Sequence, residues 1–136
     1  MTTRSRKSSP VAVVPPPLHE LESEVMEQLW RSGEASVRSV MEALNQHTNK
    51  ERAYTTYMTI MARLHKKGML VRRREGKTDF YAPVHERDEY MALRAQAGVE
   101  ELVAQYGDVA LSNFAQQMAS LDPSRRRALQ RLARKP

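Results

Sequence analysis

The chain has 136 residues, 40% of them hydrophobic, a formal net charge of +6 and no cysteine. That is enough for one ordinary domain, or a small domain with an appendage, and it excludes disulfides and thiolate metal sites. No apolar run approaches the ~20 residues of a membrane helix, and "VAVVPPP" is too short and too rich in proline for a signal-peptide core, so a soluble, cytoplasmic protein is expected.

Residues 1 to 17 have no helical or strand period and hold four of the seven prolines. They read as a disordered, basic, proline-rich leader, with a basic arm reaching into a DNA groove as the alternative. Apolar residues then recur at Leu21, Val25, Met26, Leu29 and Trp30, one face of a helix. Glu20, Glu22 and Glu24 favour its positive end, and Gly33 stops it. Ser36 stands where an N-cap belongs, and Val37, Val40, Met41 and Leu44 mark a second helix. "NQHTNKER" is a polar connection to a third helix over residues 53 to 67, stopped by Gly68.

The period then changes. "MLVRRR", the turn "EGKT" and "DFYAPV" read as two strands of a hairpin closed by Pro83. Three helices followed by a hairpin is the order of a winged helix-turn-helix, expected over residues 18–84 with the hairpin as the wing. From residue 85 to 136 the chain is helical again. Leu111, Phe114, Met118 and Leu121 recur at three, four and three, a narrow seam that suggests pairing with a second copy, with folding back on the winged domain as the alternative. Asp122 and Pro123 open a last helix, whose Arg125, Arg126 and Arg127 are expected to solvate its end, with nucleic-acid contact as the alternative. The fold class expected is mainly α with a small β-hairpin: a winged helix-turn-helix domain plus a C-terminal helical dimerisation domain.

Charge is concentrated in one place. Residues 50 to 77 hold nine Lys and Arg against Glu51 and Glu75, a net of +7 in that window. Such a patch calls for a polyanion. On the third helix, Ala53, Tyr57, Ile60, Met61 and Leu64 fall on one side and are expected in the core. Thr55, Thr59 and Arg63 form an i, i+4, i+8 row on the other, with Thr56 and Lys66 beside it. Threonine is a mediocre helix former, so a helix carrying three on its open side suggests a use for them. Short hydroxyl side chains let a backbone come close to base edges, and their methyls can touch thymine. Arg63 and Lys66, with Arg72, Arg73, Arg74 and Lys77 of the wing, would meet phosphates, or Arg63 a guanine edge. Tyr54 is open between packing and phosphate contact, and Met58 between packing and a base.

At these residues the chain resembles a known family. "LESEVMEQLW", "AYTTYMTIMARLHKKGMLVRRREGKTDFYAPV" and the helical tail are similar to the penicillinase repressors, the BlaI/MecI-type regulators, over roughly residues 18 to 134. The resemblance implies a homodimeric repressor that binds inverted-repeat operators in double-stranded DNA, controlling β-lactam-resistance or related stress genes. It implies base reading through Thr55, Thr56 and Thr59. It also implies inactivation by a membrane sensor-protease at an Asn-Phe bond, matched here by Asn113-Phe114. The cysteine cluster of copper-responsive relatives has no counterpart.

Catalysis is not expected, and neither is a cofactor or metal. His19, His47, His65 and His85 are scattered without an acidic partner at a catalytic or metal-binding spacing, and there is no Gly-rich phosphate loop. Two other readings compete: a winged-helix regulator gated by direct small-molecule binding, and a winged helix that binds only protein.

Overall fold

A computed structural model describes residues 14–134 of the chain. Its elements run α1 (Glu20–Ser32), β1 (Ala35–Ser36), α2 (Val37–Asn45), α3 (Tyr54–Lys66), β2 (Leu70–Glu75), β3 (Thr78–Pro83), α4 (Arg87–Tyr106), α5 (Asp108–Ala119) and α6 (Pro123–Ala133). The expected class, mainly helical with a small sheet in winged-helix order, is the one observed. Two compact units divide inside α4, between Ala95 and Gln96.

In the first unit, local signals set the helix ends. The Ser36 hydroxyl accepts the Ser39 amide at 3.2 Å and caps α2. After α3 the backbone turns left-handed at Gly68, with φ 83°, a conformation costly for any residue with a Cβ. The Met69 amide thereby returns to the Leu64 carbonyl at 2.9 Å. Val25, Met26 and Leu29 of α1, Val40 of α2 and Tyr57, Met61 and Leu64 of α3 are sealed from solvent. Leu70, Tyr81 and Tyr90 join the same core.

The sheet has three antiparallel strands in the order β1-β3-β2, not the two read from the sequence. The additional strand is only Ala35 and Ser36, facing Tyr81 and Phe80. Two residues cannot display an alternating pattern, so nothing in their order announces them. Glu75 faces Thr78 across the tip, leaving Gly76 and Lys77 as the turn.

The unit continues past residue 84 into the start of α4. Tyr90 is buried, its ring 5.3 Å from Trp30, and the Trp30 indole N–H donates to the His85 carbonyl at 2.8 Å. The start of α4 is therefore core to this unit. Of the expected leader, residues 1–13 lie outside the described residues. Its last prolines are tied down: the Tyr90 hydroxyl donates to the Pro16 carbonyl at 3.1 Å and Arg94 to that of Pro15 at 3.3 Å.

The second unit comprises the last turns of α4, α5 and α6. Gly107, at φ 60°, separates the first two. Asp122 caps α6 by accepting the Arg125 amide at 2.9 Å, with Pro123 in the first turn. Arg126 does more than solvate a helix end. Its guanidinium donates to the carbonyls of Met118, Ala119 and Leu121 at 3.2, 3.2 and 2.9 Å, tying the start of α6 to the last turn of α5 and the connection after it.

Candidate nucleic-acid interface

The face of α3 that points into the core is a stripe of Tyr57, Ile60, Met61 and Leu64. Ala53, expected beside them, is exposed, because it is the extended N-cap residue (ψ 153°) and not part of the helical stripe. On the opposite side Thr55, Thr56, Thr59, Arg63 and Lys66 are all exposed. Met58 lies beside them at 45% exposure, not in the core. Spacings of three and four keep the row on one face.

That face is held rigidly from behind. The Asn45 side chain, at the end of α2, accepts the Tyr57 hydroxyl at 2.8 Å and the Arg52 amide at 3.2 Å, and donates to the Arg52 carbonyl at 3.0 Å. It thus closes the turn between α2 and α3 at both ends. At the other end of α3, Lys67 donates to both carboxylate oxygens of Glu22 at 3.0 and 2.8 Å. Glu22 is 1% exposed and also accepts the His19 amide at 3.0 Å. Burial pushes its carboxyl up, but the hydrogen bonds from His19 and Lys67 outweigh that and hold it below the ordinary range.

The basic window divides into two kinds of cation. Arg52 pairs with Glu24, Lys67 with Glu22 and Arg74 with Asp79. Arg73 is the most engaged: it donates twice to Glu34, at 3.0 and 2.8 Å, and to Glu75, with its guanidinium 4.9 Å above the Phe80 ring. The hydrogen bonds to Glu34 and Glu75 push its pKa up. Arg63, Lys66, Arg72 and Lys77 have no carboxylate within ion-pair distance among the described residues. Of the residues singled out in the sequence, Arg73 and Arg74 are thus fastened to the wing itself, and the other four cations remain open to an outside anion.

One cation escaped the sequence reading. Arg38, on α2, is exposed and stands 5.6 Å over the ring of Tyr54. It lies alone, upstream of the basic window, so charge density does not reveal it. Among the described residues no group of histidine and carboxylate side chains could hold a metal ion, and no helix is long and apolar enough to cross a membrane.

The penicillinase repressor family model matches residues 18–135. The chain belongs to that family. Among relatives, the transcriptional regulator BlaI of Mycobacterium tuberculosis is 45% identical over 76 residues, which cover 55% of this chain and 54% of that protein. The match thus spans about half of this relative's length. Among solved structures, the DNA-binding domain of the repressor BlaI is 27% identical with a TM-score of 0.49, over 57% of this chain and 92% of that one. A complex structure of hsRosR-S1 shares the fold at 15% identity and a TM-score of 0.50, over 77% of this chain and 96% of that one. This penicillinase repressor family member therefore carries its exposed threonine row on α3, within the matched region.

Proposed function

We propose that this chain is a transcriptional repressor that reads duplex DNA through α3 and works as a homodimer on inverted-repeat operators. The observation that carries the reading is the row of Thr55, Thr56, Thr59 and Arg63, which looks outward from a helix whose other face is locked into the core. Short hydroxyls come first and cations follow, so the N-terminal half of α3 enters the major groove and its C-terminal half meets the backbone. Family membership supports the reading, and points to β-lactam-resistance or related stress genes as its targets.

The two kinds of wing cation supply the test. In fluorescence anisotropy on a duplex from the protein's own promoter region, affinity should fall steeply as salt rises. Arg72→Ala should flatten the plot of log affinity against log salt by about one. Arg73→Ala should leave the slope nearly unchanged and lower thermal stability slightly, because that guanidinium is spent on Glu34 and Glu75. Absence of salt-dependent binding to any promoter duplex would refute the DNA reading.

Dimerisation is supported by the second unit, which leaves Leu102, Tyr106, Val109 and Leu111 between 43% and 65% exposed. Phe114, Met118 and Leu121 are half-buried, and Phe114 borders a hollow of about 190 Å³ with Leu102 and Tyr106. So much apolar surface is a liability unless a second copy covers it. Sedimentation should show a dimer that Leu111→Glu together with Phe114→Glu dissociates, with operator affinity falling in parallel. A monomeric native protein would overturn this part.

Proteolytic release by a membrane sensor-protease would act at Asn113-Phe114. The Asn113 side chain donates to the Val109 carbonyl at 2.9 Å, and the bond lies in mid-helix. A protease therefore gains it only when α5 opens locally. Cutting there severs Met118 and Leu121 from the rest of the seam.

A further inference from the structure

Beside α3 lies an open groove of about 490 Å³ between the start of α2 and the wing. Its lining includes Arg38, Tyr54, Met58, Lys77, Thr78 and Asp79. Arg38 and Lys77 have no carboxylate within ion-pair distance among the described residues. The one carboxylate in the lining, Asp79, stands 3.5 Å from Arg74, which offsets its charge. The groove is thus a polar trough with two uncommitted cations, one of them resting on an aromatic face.

We propose that this groove seats a phosphate of the duplex backbone, with Arg38 and Lys77 as its cations and the Tyr54 ring as the platform that holds Arg38. The proposal rests on the reading of α3 as the helix in the major groove. Tyr54 directly precedes Thr55, and Met58 directly precedes Thr59, so the groove adjoins the turns of α3 that meet the bases. A major groove about 12 Å wide is walled by the two sugar-phosphate strands, and a strand bordering α3 on this side runs where the groove lies. A guanidinium presents a planar fork of donors to phosphate oxygens. Laid over an aromatic ring, it loses less freedom when it does so.

A salt series with the full chain on a mixed-sequence duplex tests this, because a phosphate contact does not depend on sequence. Arg38→Ala should flatten the log–log salt slope by about one and weaken binding several-fold at low salt, without moving the melting temperature. Lys77→Ala should do the same, and Arg38→Lys should restore the slope. Tyr54→Ala should weaken binding when Arg38 is present and have no effect when Arg38 is already alanine, a non-additivity that marks a residue acting through another. An unchanged slope in Arg38→Ala, with the native protein still binding in a salt-dependent way, overturns the phosphate seat and leaves the role of α3 intact. Failure of the native protein to bind the duplex at all overturns both.

Discussion

Lys67→Met should cost about 2–4 kcal/mol of folding stability, read from urea unfolding near neutral pH. The lysine comes from the end of α3 and the carboxylate from the first turn of α1, 45 residues earlier. Glu22 is sealed from water, whereas Lys67 keeps 28% of its side chain exposed. Removing the cation leaves a buried carboxylate with the His19 amide alone, and removing both charges leaves no buried charge unpaired. Glu22→Gln with Lys67→Met should therefore recover part of the loss, and the same cost in single and double variants would contradict this account.

The pH dependence follows from the same pair. A carboxyl held below its ordinary value of 4.5 in the folded protein contributes fully to stability above that value. The contribution is lost as pH falls through the lower, folded-state value. Glu22→Gln should remove this part of the acid sensitivity. A variant that loses stability on acidification as steeply as the native protein would show that the pair does not govern it.

Thr56→Ala combined with Thr59→Ala should weaken operator binding by tens-fold or more, on the scale of ~1–3 kcal/mol for a good base contact. Binding to a mixed-sequence duplex should hardly change. Both side chains are exposed on a helix fixed by Asn45 at one end and Glu22 at the other. The double change therefore leaves the core untouched, and alanine is the better helix former. Unfolding should be unaffected or slightly improved. Equal losses on the two DNAs would remove these threonines from base reading.

Much of this molecule is legible from residue order because the determinants are local. Apolar spacing marked α1, α2 and α3, Ser36 and Gly68 marked ends, and the change to an alternating pattern marked β2 and β3. Each signal spans a few residues and works through backbone hydrogen bonds between near neighbours. The outward row on α3 was legible for the same reason: once four apolar residues are assigned to the core, the opposite face follows from 3.6 residues per turn. Ala53 falls outside that pattern because an N-cap residue has extended backbone, so the helical spacing does not govern where it faces.

Partnership between distant side chains was not legible. Which arginine of the run 72–74 is neutralised depends on Glu34 arriving from the α1–α2 connection, 39 residues away. Pairing β1 with β3 brings that connection to the wing. The burial of Glu22, the anchoring of Pro15 and Pro16 by α4, and the placing of Arg38 over Tyr54 have the same origin. Residue order determined the helices, the hairpin and the sign of the charged face. Tertiary packing decided which cations are spent within the protein and which stay available, because a charge's partner is set by proximity in space and not by distance along the chain.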